Sequence, residues 1–130
     1  MAKILIVDDD GDLRTLFGLG FLRRGHSIVV AGDGAVALRC LAAQTPDLLI
    51  TDITMPVMDG LELLRRLRAD GHAALPVVVV SAHAEQRAAA LQAGANAFLA
   101  KSVGLAQLRT VVEALLTPSQ PAPASSGSTI

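Results

Sequence analysis

Short unbroken apolar runs alternate five times with stretches whose apolar residues recur at helical spacing. Such alternation is the mark of βα units that feed a parallel sheet. The predicted strands are Ile4 to Val7, Ser27 to Ala31, Asp47 to Thr51, Pro76 to Val80 and Ala97 to Ala100. Val77 to Val80 is β-branched throughout and shows no polar alternation, as expected of a central strand covered on both faces. Leu13, Leu16, Phe17 and Phe21 predict a first helix, and Leu38, Leu41 and Ala42 a second. Leu61, Leu64 and Leu67 mark a third; Ala88, Leu91 and Gln92 a weaker fourth; Leu105, Leu108, Val112 and Leu115 a clear fifth.

The punctuation agrees. Asp59 precedes the third helix and Glu62 follows three residues later, a capping-box pattern. Gly25, Gly71 and Gly94 fall where helices should end. Gly18 and Gly20 run against the pattern, since each costs about 1 kcal/mol relative to Ala inside a helix; only close packing would account for them. From Pro118 the chain turns to Pro, Ser, Ala and Gly with no apolar period. The reading is therefore a domain over residues 1–117 and a disordered tail or linker over 118–130.

Composition narrows the class. With 52% apolar and 18% charged residues over 130 positions, the chain can bury one core of ordinary size. A net charge of −1, three Phe and no Trp or Tyr give no stripe for nucleic acid, so no direct nucleic-acid partner is expected. No apolar run approaches the roughly 18 residues of a membrane span, and the N-terminus lacks a signal-peptide pattern. The lone Cys40 suits a reducing compartment, and the expected location is the cytoplasm.

Carboxylates then change the picture. Asp8, Asp9 and Asp10 follow the first strand directly, and Asp52 ends the third. Ligands bind at the carboxyl ends of strands in open α/β sheets. In strand order 2-1-3-4-5 the first and third strands are neighbours, so Asp8 and Asp9 would meet Asp52 there. Periodicity alone does not fix that order. Ser81 leaves the fourth strand and Lys101 the fifth, along the same edge. Two carboxylates about 4 Å apart repel by roughly 4 kcal/mol at an effective dielectric near 20. Three need cations. Lys101 supplies one charge, and an all-oxygen set without clustered His or Cys favours Mg²⁺ for the rest. Such a pocket is equipped to hold phosphoryl oxygens, with Asp52 as a nucleophile that forms an acyl phosphate.

The runs Ile4 to Asp10, Asp47 to Leu64, Pro76 to Ala82 and Gln92 to Lys101 together resemble the receiver domain of bacterial two-component response regulators, over about Ile4 to Leu116. The resemblance implies a flavodoxin-like (βα)5 fold with strand order 2-1-3-4-5. It implies phosphorylation of Asp52 by a histidine kinase or phosphotransfer protein. Mg²⁺ would be held by Asp8, Asp9, Asp52 and the backbone carbonyl of Thr54, with Asp8 able to act through water. Ser81 would bond one phosphoryl oxygen and Lys101 another, and Phe98 would hold the position of the aromatic switch. Thr54 and His83 would tune dephosphorylation. Output would pass to a protein through the face of the fourth helix, fifth strand and fifth helix. The chain then reads as a stand-alone, chemotaxis-regulator-like receiver, a monomer or weak dimer, and no enzyme beyond its own phosphorylation and dephosphorylation. Alternatively it is the receiver portion of a longer protein, with the tail as linker.

Plainer roles compete at each position. Asp10 is expected to cap the first helix. Phe98 reads more simply as a half-buried aromatic, and Arg65, Arg66 and Arg68 as a solvated face near a helix end. His26, His72 and His83 share no metal-ligand spacing. Two other functions fit part of the pattern: a phosphorylation-independent interaction module of the same fold, and a Mg²⁺-dependent phosphatase with an Asp nucleophile. The second would place its nucleophile on the first strand and need a separate acid-base carboxylate. One departure from the receiver pattern is Ser102, where proline usually follows the pocket lysine. A cis bond before a non-proline residue costs about 3–4 kcal/mol, so Lys101-Ser102 is expected to be trans.

Overall fold

The computed structural model describes residues 2–9 and 11–117. The expected cap at Asp10 and the tail over 118–130 lie outside them, as do the side chains of residues 11–16 and 103. Five strands, β1 (Lys3–Val7), β2 (Ser27–Ala31), β3 (Leu48–Thr51), β4 (Val77–Ser81) and β5 (Ala97–Ala100), form one parallel sheet in the order β2-β1-β3-β4-β5. Between and after them run α1 (Gly11–Leu22), α2 (Gly34–Ala43), α3 (Gly60–Ala69), α4 (Arg87–Ala93) and α5 (Leu105–Leu116). The strands differ from expectation only at their ends: Lys3 opens β1, Asp47 and Pro76 precede theirs, and Ser81 closes β4.

Strand geometry divides the apolar runs between two interiors, because alternate residues point to opposite faces. Leu5, Val7, Leu49, Val77 and Val79 pack with Ala37, Leu41, Leu63, Leu64, Leu67 and Ala90 beneath α2, α3 and α4. Ile4, Ile6, Leu48, Ile50, Val78 and Val80 pack with Phe17, Phe21, Leu108 and Val112 beneath α1 and α5. This two-sided cover explains why the strands read as continuous hydrophobic runs.

The fourth helix departs from its predicted stripe. Ala88, Leu91 and Gln92 are exposed, and Ala90 is the residue that α4 buries. Gly94 ends it at φ 115°, a left-handed cap, and Gly25 and Gly71 also have positive φ. Gly20 is explained by packing, since a β-carbon there would collide with the Leu105 side chain where α1 meets α5. Around Gly18 an added β-carbon would find ordinary contact with Ile28, so nothing in the structure explains that glycine.

Candidate functional site

Parallel pairing of β1 with β3 sets Val7 beside Thr51, and the next residue of each strand is an aspartate. The Asp52 backbone N–H donates to the Val7 carbonyl (2.9 Å), and that of Asp8 donates to Ala31 on β2 (3.1 Å). These bonds fix both carboxylates at one rim of the sheet. Asp8 and Asp52 are buried and Asp9 is exposed. Each of the three offers a carboxylate oxygen within 4.8 Å of the others.

Lys101 reaches into this cluster from the end of β5. Its Nζ donates to Asp52 Oδ2 at 2.9 Å and stands 3.3 Å from Asp8 Oδ2. Partial burial pulls the lysine pKa down, yet the hydrogen bonds and charges of Asp52 and Asp8 outweigh it and leave the pKa raised. The Lys101-Ser102 bond is trans, as expected, and no peptide bond among the described residues is cis. The flexible stem delivers the charge without proline. Asp52 Oδ1 has a different partner, the Ile53 N–H at 2.7 Å. The two Asp52 carboxylate oxygens are therefore inequivalent.

The loop after Asp52 is tightly built. The Met58 N–H donates to the Pro56 carbonyl (2.7 Å), closing a three-residue γ-turn on Val57, whose φ is 69°. A β-branched residue there is strained. Asp59 caps α3 by accepting from Glu62 N–H (2.9 Å), but the Glu62 carboxylate accepts from Arg66 at 3.1 Å. Gly60 N–H donates to the Ile53 carbonyl (2.8 Å), and a β-carbon on Gly60 would overlap the Asp52 carbonyl. Only glycine lets α3 begin so close to the Asp52 backbone.

Ser81 is fully buried at the end of β4. Its Oγ donates to Gln86 Oε1 (3.2 Å) and accepts from the His83 N–H (3.0 Å). Thr54 and His83 are both exposed, and His83 Nδ1 lies 3.6 Å from Glu85 Oε2. Phe98 is buried rather than half-buried: β5 is covered by α4 on that face, and the ring joins the interior with Ala90.

Arg68 also corrects its expected role as a solvated residue. Its guanidinium donates to the carbonyls of His72 (2.6 Å), Leu75 (2.7 Å) and Gly94 (2.7 Å), and to Asn96 Oδ1 (3.1 Å). Partial burial lowers its pKa from the ordinary arginine value. Arg65 and Arg66 remain exposed beside Glu62. The sequence marked neither Gly60, beyond its place after a capping Asp, nor Gln86. It gave no sign of the carbonyls that Arg68 gathers.

The model of the response regulator receiver domain family matches residues 4–113 of this chain. The chain belongs to that family. Response regulator MprA of Mycobacterium bovis is 38% identical over 122 residues, which are 92% of this chain and 53% of that protein. This receiver thus spans about half the length of the curated relatives it matches. The crystallised receiver domain of NtrX from Brucella abortus is 34% identical, with a TM-score of 0.83 over 89% of this chain and 99% of that one. Response regulator TrrA from Thermotoga maritima, crystallised in complex with Mg²⁺-BeF, is 29% identical, with a TM-score of 0.81 over 88% of this chain and 99% of that one. Membership places this receiver in two-component signalling. Among the described residues no helix is long and apolar enough to cross a membrane.

Proposed function

We propose that this receiver accepts a phosphoryl group on Asp52 from a histidine kinase or phosphotransfer protein and passes the change to a partner protein. The observation that carries the reading is the Lys101 ammonium between Asp52 and Asp8, within a cluster of three carboxylates. An Asp52 oxygen attacks the donor phosphorus, the bond from phosphorus to the donor nitrogen breaks, and the nitrogen leaves with the electron pair. Lys101 meets charge that develops on the transferred oxygens, and Ser81 can turn its hydroxyl to another.

The donor set fits Mg²⁺: hard oxygens only, one exposed carboxylate and two buried ones. Asp8, Asp9, Asp52 and the Thr54 carbonyl would hold the ion. When bound, it offsets negative charge on the phosphoryl oxygens and the carboxylates. The complex of TrrA with Mg²⁺-BeF supports this assignment by analogy. Thr54 and His83, exposed two residues beyond Asp52 and Ser81, would govern water access and so the lifetime of the acyl phosphate. Phe98 would follow Ser81 through packing alone. Output would use the face of α4, β5 and α5, and the chain would act in the cytoplasm without turning over a separate substrate.

The test is acetyl phosphate with Mg²⁺, followed by intact-mass measurement. One added phosphoryl group is expected, and none in Asp52→Asn. An unmodified mass under saturating donor would point to the phosphorylation-independent module. Faster decay of the phosphorylated form is expected in His83→Ala; an unchanged rate removes His83 from the scheme.

A further inference from the structure

We infer that Gln86 is a positioning residue that holds the Ser81 hydroxyl proton until a phosphoryl oxygen claims it, and so couples Asp52 to the first turn of α4. The inference rests on the reading of Asp52 as the phosphorylated residue. A serine hydroxyl carries one proton. Here that proton is directed to Gln86 Oε1, while the Oγ lone pairs receive the His83 N–H. Ser81 cannot donate to a phosphoryl oxygen and to Gln86 Oε1 at once.

The bond is suited to release. At 3.2 Å it lies beyond the usual range for O–H···O pairs. Gln86 occupies the joint between a short 3-10 turn (Ala84–Gln86) and α4, and its N–H donates to the His83 carbonyl at 3.0 Å. Because α4 buries Ala90 and no broad apolar stripe, its ends carry much of its attachment. Arg68 grips the Gly94 carbonyl at the far end. At the near end stand the Gln86 bond to Ser81 and a bond from Arg87 to the Phe98 carbonyl (3.2 Å). Removal of the Ser81 bond leaves α4 fixed at one end and loosened at the other.

The test uses the full chain with acetyl phosphate and Mg²⁺, titrated below saturation, in wild type, Gln86→Ala, Gln86→Met, Ser81→Ala and the double variant Ser81→Ala/Gln86→Ala. Thermal melts establish that each is folded. Either Gln86 change should raise the phosphorylated-to-free ratio about two- to tenfold, the span expected for one released hydrogen bond. Against Ser81→Ala the same change should do nothing. Amide exchange over residues 86–90 should quicken on phosphorylation in wild type, and should already be quick in unphosphorylated Gln86→Ala. An unchanged ratio, or an equal shift in the Ser81→Ala background, overturns the inference and leaves phosphorylation of Asp52 standing. A wild-type chain that takes no phosphoryl group overturns both.

Discussion

Lys101 Nζ lies 2.9 Å from Asp52 Oδ2, so one ammonium from β5 closes a rim whose other charges come from β1 and β3. The raised lysine pKa means that the folded state holds this proton more tightly than the unfolded chain does. The stability it contributes is complete below the ordinary lysine value of 10.5 and drains away as pH rises through the higher folded value. Lys101→Met should therefore destabilise the domain at pH near 7, with a gap from wild type that narrows in alkali above 10.5. Urea denaturation at stepped pH measures it, and a constant gap would contradict the assignment.

Divalent metal should substitute for part of that charge. Mg²⁺ at about a hundred times its Kd should stabilise the fold by about 2.7 kcal/mol, an effect reversed by EDTA. Asp9 is exposed, so Asp9→Asn should weaken this response while leaving metal-free stability nearly unchanged. Thermal melts with and without the ion provide the comparison.

Gly60→Ala places a methyl group against the Asp52 carbonyl. The expected loss is about 1 to 3 kcal/mol, typical of overpacking where backbone must move. Slower phosphorylation should accompany it, because the displaced carbonyl belongs to Asp52, the proposed nucleophile. Chemical denaturation and the mass assay read the two effects separately.

Arg68→Lys keeps the charge but cannot span three carbonyls on two segments. A loss of about 2 to 4 kcal/mol is expected from acceptors left unmatched. Urea denaturation of the variant tests this, and a loss near zero would return Arg68 to the solvated surface.

What the sequence disclosed follows from which interactions leave a local mark. Strands covered on both faces show as unbroken β-branched runs, so Val77 to Val80 was legible, and so was the rim where Asp8 and Asp52 follow such runs. α4 was legible in place but not in orientation, because it buries Ala90 rather than Leu91. Arg68 resembled any arginine near a helix end, since its partners are, apart from Asn96 Oδ1, backbone carbonyls up to 26 residues away that carry no residue code. Phe98 was underestimated for a related reason: its burial depends on the cover that α4 gives. Gly60 sat in an Asp-Gly pair that capping alone explains, while the closer constraint comes from Asp52 across the turn.

The division of the core by the sheet has a bearing on how the domain tolerates change. The interior beneath α2, α3 and α4 and the interior beneath α1 and α5 draw on different side chains of the same strands. Repacking of one layer can shift its helices while the opposite layer still clamps each strand from behind. Asp8, Asp52 and Ser81 sit at the ends of strands gripped in this way, and Lys101 follows another. Away from the joints at Gly60 and Gln86, where α3 and α4 touch the cluster, the outer faces can therefore be remodelled for new partners while the strands hold the spacing of the carboxylates.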